Sequence, residues 1–360
     1  MDRISIQGYK SIQHLDLILN PINILIGSNG SGKSNFLSFF EMLKIIYDQK
    51  LKEYVALKGG ADKFLYNGSK VTEEIETKLN FGNNNAYSFT LKKGDDDFVF
   101  IKEFMWHNHP VYVNPLDISS FNQESRLKFS TAPLAFYFGG YINGLEKYHF
   151  HDTGYNSPFN KNSNIETDKF FLYNNGENLP AFLFKIYNNY KKEYALIIKT
   201  IQSIAPYFSD FYFAPNENGF IKLLWQSKYN SNNYSSTDLS DGTIRFIALA
   251  TLFLQPNLQD EPLKTIIIDE PELGLHPSAI AKVAGMIKSA SAKGCQIILA
   301  TQSTDLISHF LPEDIITVDQ INGASKFQRL DGNSLELWLE DYTIDELWKR
   351  NIITTGQLNF

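Results

Sequence analysis

Hydrophobic and polar positions divide the chain into three regimes. The first alternates. "RISIQGY", "LDLIL" and "INILIG" read as short strands, and the last is apolar throughout, as a strand buried on both faces must be. A glycine-rich turn follows, and apolar positions then recur at helical spacing from about Lys33 to Ile46. "EIETKLNF", "AYSFTLK" and "DFVFIKEF" alternate again and predict an antiparallel set with turns at Gly82 and Gly94. The middle is mixed. Residues 181–205 have the spacing of a helix that ends before Pro206, and "FYFAPNENGFIKLLW" predicts two strands joined around Asn216 to Gly219. "YNSNNYSSTD", 229–238, reads as an exposed loop. In the last third a helix at about 242–254 precedes the buried strand "KTIIID". A helix at about 278–292 then leads to "CQIILAT" and "DIITV". Buried strands alternating with helices predict a parallel sheet. The two ends of the chain must meet in that sheet, with the middle inserted between them.

Gly27, Ser28, Asn29, Gly30, Ser31, Gly32, Lys33, Ser34 and Asn35 form the turn between the buried strand and the first helix. Gly27, Gly32, Lys33 and Ser34 satisfy G-x-x-x-x-G-K-[ST] in the strand–turn–helix context that a P-loop requires. Glycines there let backbone N–H groups close around phosphate oxygens at the positive end of a helix. Lys33 would neutralise the charge of the β- and γ-phosphates, and Ser34 would ligate Mg²⁺. "TIIIDEPELGLHP", 265–277, delivers Asp269 and Glu270 at the carboxyl end of a strand, where ligands collect in open α/β sheets. Asp269 would hold Mg²⁺ and Glu270 would orient and deprotonate an attacking water. "ILATQST", 298–304, ends a third strand in polar residues, of which Gln302 or Ser303 could reach a γ-phosphate.

Ser240, Asp241 and Gly242 open an apolar helix two hundred residues after the P-loop and expose a second set of N–H groups. One ATP is not easily served by two helix N-termini of one compact lobe. Two copies arranged head to tail would serve it, each P-loop covered by the other copy's serine–glycine turn. The plain alternative is a capped helix buried for packing.

Lysine plus arginine number 33 and aspartate plus glutamate 40, so the net charge is −7, which excludes general adhesion to nucleic acid or anionic lipid but not a local basic patch. "YNNYKKEYALIIK" mixes lysine with tyrosine and reads either as a nucleic-acid contact or as a solvated helix face, and residues 48–63 carry the same ambiguity. The single Cys295 in an apolar run suits a reducing cytoplasm. No apolar run is long enough for a membrane span, and none at the start suits a signal peptide. "HFHD" places His149 and His151 on one face beside Asp152, either as a metal site or as a hydrogen-bonded packing element. Tyr9 would either stack on adenine or belong to the core.

Together these stretches resemble the ABC-type head ATPases of the SMC, RecF and OLD families, and most closely the compact stand-alone AAA-type ATPases. The resemblance spans nearly the whole chain. It rests on "INILIGSNGSGKSNFLSFFEML", "YHFHDTGYNSP", "NLPAFLFKIY", "LSDGTIRFIALATLFLQP", "IIIDEPELGLHP", "ATQSTDLISHF" and "LELWLEDYTIDELW". It implies an α/β P-loop NTPase head: a core sheet flanked by helices, an antiparallel β subdomain and an inserted helical lobe. The corresponding segments would be 1–105, 106–237 and 238–360. It also implies that Ser240–Gly242 are a signature motif sensing γ-phosphate across a dimer, and that Glu272–His276 are the D-loop. The signature reads Ser-Asp-Gly rather than Ser-Gly-Gly. Gln302 stands where many relatives have a histidine, and an amide carries no proton at neutral pH, so slow turnover is expected. Gln123 is the candidate for a Q-loop glutamine. The chain has no room for long coiled-coil arms, and it ends at Phe360 without an OLD-type nuclease domain.

The expected function is an ATP- and Mg²⁺-dependent homodimeric or larger switch in DNA repair or phage defence. It would act on DNA or through a separately encoded nuclease or toxin. A transporter's nucleotide-binding subunit and a P-loop kinase are the alternatives. "LSDGT" fits the first poorly, and the second leaves Ser240 and Glu270 without a role.

Overall fold

The computed structural model describes residues 1–82, 85–107, 115–154, 156–256, 265–350 and 352–353. Tyr155, within the stretch 148–158, Lys264, the first residue of the expected strand "KTIIID", and residues 354–360 lie outside the described residues. The first third contains β1 (Arg3–Tyr9), β2 (Ile12–Ile18), β3 (Ile22–Ile26), α1 (Lys33–Tyr47), α2 (Leu51–Leu57), β4 (Glu74–Phe81), β5 (Asn85–Lys93), β6 (Phe98–Trp106) and β7 (Leu116–Asp117). The middle contributes α3 (Pro133–Asn143), β8 (Leu145–Tyr148), β9 (Ser163–Asn164), α4 (Leu179–Asn189), α5 (Lys191–Ile204), β10 (Phe208–Phe211), β11 (Phe220–Ile221), β12 (Leu224–Ser227) and β13 (Asn233–Ser235). The last third adds α6 (Asp241–Leu254), β14 (Thr265–Asp269), α7 (Pro277–Ala292), β15 (Gln296–Thr301), α8 (Thr304–Ile307), β16 (Ile315–Ile321), β17 (Ala324–Arg329), α9 (Gly332–Leu339) and α10 (Ile344–Lys349).

The core sheet runs β17–β16–β3–β15–β14–β8. Its pairings are parallel except for the β16–β17 hairpin at one edge. β3 lies between β15 and β16, so the two ends of the chain meet as expected, and all five residues of β3 are buried. Alternation along each strand sends successive side chains to opposite faces. Ile22, Ile24, Ile26, Ile266, Ile268, Ile297 and Leu299 pack with α4–α7. Leu25, Ile267, Ile298 and Ala300 pack instead with α1 and the second sheet. That second sheet is antiparallel in the order β2–β1–β4–β5–β6–β7 and includes the expected three-stranded set.

Three expectations need correction. The segment 106–237 is not wholly an inserted lobe: β8 joins the core sheet as its edge, parallel to β14. The helix expected over 181–205 is two, α4 and α5, because the backbone breaks at Tyr190 (φ −135°, ψ 67°). Within "FYFAPNENGFIKLLW" the two ends pair antiparallel as β10 and β12, and the short β11 between them pairs with β9. β13 adds an edge to β12 within the stretch expected to be a loop.

Candidate nucleotide site

The P-loop is shaped by its packing. Gly32 has φ 111°, and a Cβ built on it would lie 1.9 Å from Ser325 Oγ, so no other residue fits. Ser325, on β17, donates to the Ser31 carbonyl at 2.6 Å, and its Oγ can accept from the Ser11 hydroxyl 2.7 Å away, which fixes the loop. Asn35 Nδ2 also donates to Ser11 Oγ, at 2.8 Å. Lys33 is buried, and its ammonium donates to the Gly27 and Ser28 carbonyls at 2.8 and 2.9 Å, which holds the cation inside the loop. Burial lowers the Lys33 pKa, opposed by the charges of Asp269 and Glu270.

A cavity of about 310 Å³ opens over this loop, lined by Asn29, Gly30, Gly32, Lys33, Ser34, Asn35, His151, Asp269, Glu270 and Gln302. Ser34 Oγ lies 3.2 Å from Asp269 Oδ2, so the two residues expected to share a cation meet from opposite ends of the sequence. Burial holds the Asp269 carboxyl above the usual carboxylate range, with the Ser34 hydroxyl acting against it. A half-buried acid beside a second carboxylate is a setting that a divalent cation relieves. Glu270 sits just beyond the strand end at φ 42°, with its N–H on the Ala300 carbonyl at 2.8 Å. Gln302 Nε2 donates to Glu270 Oε1 at 2.8 Å, so the amide aims the carboxylate. These residues fit a nucleoside triphosphate with Mg²⁺. The loop and Lys33 would hold the phosphates, and Ser34 and Asp269 the ion, which would neutralise phosphate charge.

Beneath this layer, Thr301 Oγ1 donates to Glu272 Oε1 at 2.6 Å and ties the segment after β14 to the end of β15. Glu272 Oε2 is buried without a hydrogen-bond partner, and burial raises the Glu272 pKa.

The turn expected to be the signature, Ser240–Gly242, lies outside this cavity. Ser240 is exposed and caps α6, its Oγ accepting from the Thr243 N–H at 3.2 Å. Neither Ser240, Asp241 nor Gly242 lines the nucleotide cavity. Gly242 is pressed onto the loop that follows Glu270: a Cβ there would stand 2.5 Å from the Gly274 carbonyl. His276 caps α7, with Nδ1 2.9 Å from Ser278 Oγ.

Other candidates resolve plainly. Tyr9 is fully buried, bonded to Ser38 Oγ at 2.9 Å and packed edge-on against Phe39, so it belongs to the core and is no adenine platform. Gln123 bonds Asp97 and does not line the nucleotide cavity, which removes it as the Q-loop residue. β8 ends at Tyr148, so "HFHD" leaves the sheet as a loop, with Phe150 buried between the two histidines. Among the described residues no three His, Cys, Asp or Glu side chains converge on a metal position. Ser303 caps α8, accepting from the Leu306 N–H at 3.1 Å.

One residue was missed, and another was singled out without its place in the cavity. His151 lines the cavity next to Asp269, because β8 runs beside β14 and delivers it there. Arg245, one turn into α6, donates to the carbonyls of Phe150, His151 and Leu273. Alternation within "HFHD" singled out the first, but as a metal or packing candidate. The second showed only as a charge interrupting an apolar helix.

Fold and site together define an ABC-type ATPase head of the SMC/OLD group. The chain belongs to the family described as "AAA domain, putative AbiEii toxin, Type IV TA system", whose model matches residues 22–308. It is similar to the Old nuclease of Escherichia phage P2, at 23% identity over 345 residues, 85% of this chain. The chain spans 56% of that relative's length. Its fold is similar to an SMC head bound to the C-terminal winged-helix domain of ScpA (TM-score 0.62, 16% identity, 94% of this chain and 99% of the other). It is also similar to the Pyrococcus furiosus Smc head with an extended coiled coil, bound to the C-terminal domain of ScpA (TM-score 0.57, 15% identity, 94% and 98%). Among the described residues no helix is long and apolar enough to cross a membrane.

Proposed function

We propose that the chain binds ATP with Mg²⁺ and hydrolyses it slowly, in a reaction centre that a second copy completes. Lys33 and the loop from Gly27 to Asn35 bind the phosphates. Ser34 and Asp269 hold the ion. Glu270, aimed by Gln302, takes the proton of the attacking water. Ser240–Gly242 of the other copy close the site from above. The observation that carries this reading is the separation within one chain. Ser34, Asp269, Glu270 and Gln302 converge on the cavity, whereas the exposed helix N-terminus at Ser240 faces a different surface. Gln302 cannot relay a proton, which supports slow turnover.

In this reading the nucleotide controls assembly, and the output comes from a partner. The relative is named a nuclease, and the SMC heads are seen with a bound protein, which supports an output delivered through a protein partner. Repair or phage defence in the cytoplasm, with DNA as a further ligand, is the setting we propose. The test is Glu270→Gln with ATP. Expected is a stable dimer by light scattering, formed only with nucleotide. An unchanged mass despite bound ATP contradicts the composite site.

A further inference from the structure

The geometry points to Arg245 as the positioning residue that couples a chain's own nucleotide cavity to the signature turn it offers its neighbour. This rests on the composite-site reading and names how that site is regulated. Nη2 donates to the His151 carbonyl at 2.8 Å, Nε to the Phe150 carbonyl at 3.2 Å, and Nη1 to the Leu273 carbonyl at 3.0 Å. The first two carbonyls belong to the loop leaving β8, whose His151 side chain lines the cavity beside Asp269. The third belongs to the loop that leaves β14 through Glu270. The guanidinium itself is carried by α6, five residues after Ser240. One side chain therefore joins loops on both sides of the cavity to the helix whose N-terminus is the signature.

The joint is tight. Gly274 has φ 73°, and a Cβ there would lie 2.6 Å from Arg245 Nη1. Gly242 meets the Gly274 carbonyl in the same way. Packed elements of this kind shift as units rather than deforming smoothly. A displacement of His151 or Glu270 by a bound nucleotide must therefore move α6 or break these bonds. Arginine suits the task because its rigid planar fork serves three carbonyls at once. A lysine presents a single flexible point charge and cannot hold them together.

The test reads the coupling inside a single chain. In a Ser240→Glu background the added negative charge repels the phosphates of a neighbour's nucleotide and keeps chains apart. ATP should then slow amide exchange at residues 27–35 and, several-fold, at residues 243–250. With Arg245→Lys added, protection at 27–35 should persist and protection at 243–250 should disappear. Arg245→Ala should behave as Arg245→Lys does. Equal protection at 243–250 with and without Arg245, or none in the parent, overturns the proposal, as does a loss of ATP binding in the lysine variant. Failure of Glu270→Gln to dimerise would strike the composite site but leave this readout unchanged, so the two failures are distinguishable.

Discussion

The nucleotide cavity and the signature turn are both helix N-termini next to glycines, yet they are built in opposite ways. At the P-loop the first helical residue is a buried lysine, the cap Gly32 contributes no side chain, the acidic partners Asp269 and Glu270 arrive from the end of β14, and the amide of Gln302 arrives from the end of β15. At α6 the cap is an exposed serine already bonded to Thr243. The first region has most of what a bound phosphate and its cation need. The second has a capped helix N-terminus that lines no part of the nucleotide cavity. The difference is what the proposed shared site requires: one region that holds the nucleotide and another that meets a nucleotide held by a second copy.

Predictions that break or sharpen this contrast can be ordered by size. Lys33→Ala removes the cation held in the loop and should abolish ATP binding and hydrolysis together, measured by calorimetry and phosphate release. Glu270→Gln should lower hydrolysis by about 10²–10⁴-fold, the usual worth of a general base, while ATP still binds. Gly242→Ala forces the added methyl onto the Gly274 carbonyl. It should cost about 1–3 kcal/mol of stability and disrupt ATP-driven association, while Lys33-dependent ATP binding survives. Gln302→His sharpens the account of rate: an imidazole can carry a proton where the amide cannot, so turnover should rise several-fold. An unchanged rate would separate slowness from residue 302.

The smallest effect is a contrast with a structural acid. Glu103 is fully buried and accepts hydrogen bonds from Tyr87 at 2.6 Å, from Ser125 and from the Arg126 N–H at 3.0 Å. Burial raises its pKa, with these bonds acting against the shift. Because the folded pKa lies above the unfolded one, its contribution is fully present below the unfolded pKa and is lost as pH rises through the folded value. The melting temperature of Glu103→Gln should therefore gain on that of the parent as pH rises from about 4.5 toward neutral, with ATP turnover unaffected.

Much of this was legible in the sequence, for physical reasons. The P-loop and "TIIIDE" are local patterns, and β3, β14 and β15 are continuous apolar runs because both faces of the core sheet are covered. β8 was not legible. Its four residues, Leu-Glu-Lys-Tyr, form an edge with two half-exposed charges, and its partner lies about 120 residues later. His151 was therefore invisible as a cavity residue. The break at Tyr190 carries neither glycine nor proline, and Arg245 gains meaning only from carbonyls 28 and 95 residues away.

The most direct measurement mixes two inactive chains, Lys33→Ala and Ser240→Arg. Each hybrid dimer would combine the Lys33 of one with the Ser240 of the other in a single intact pocket. Only the hybrid holds an intact pocket, so the mixture should recover part of the parent rate, which neither chain shows alone. A mixture that stays inactive, while the parent turns over ATP at full rate as a lone chain, would contradict the shared reaction centre.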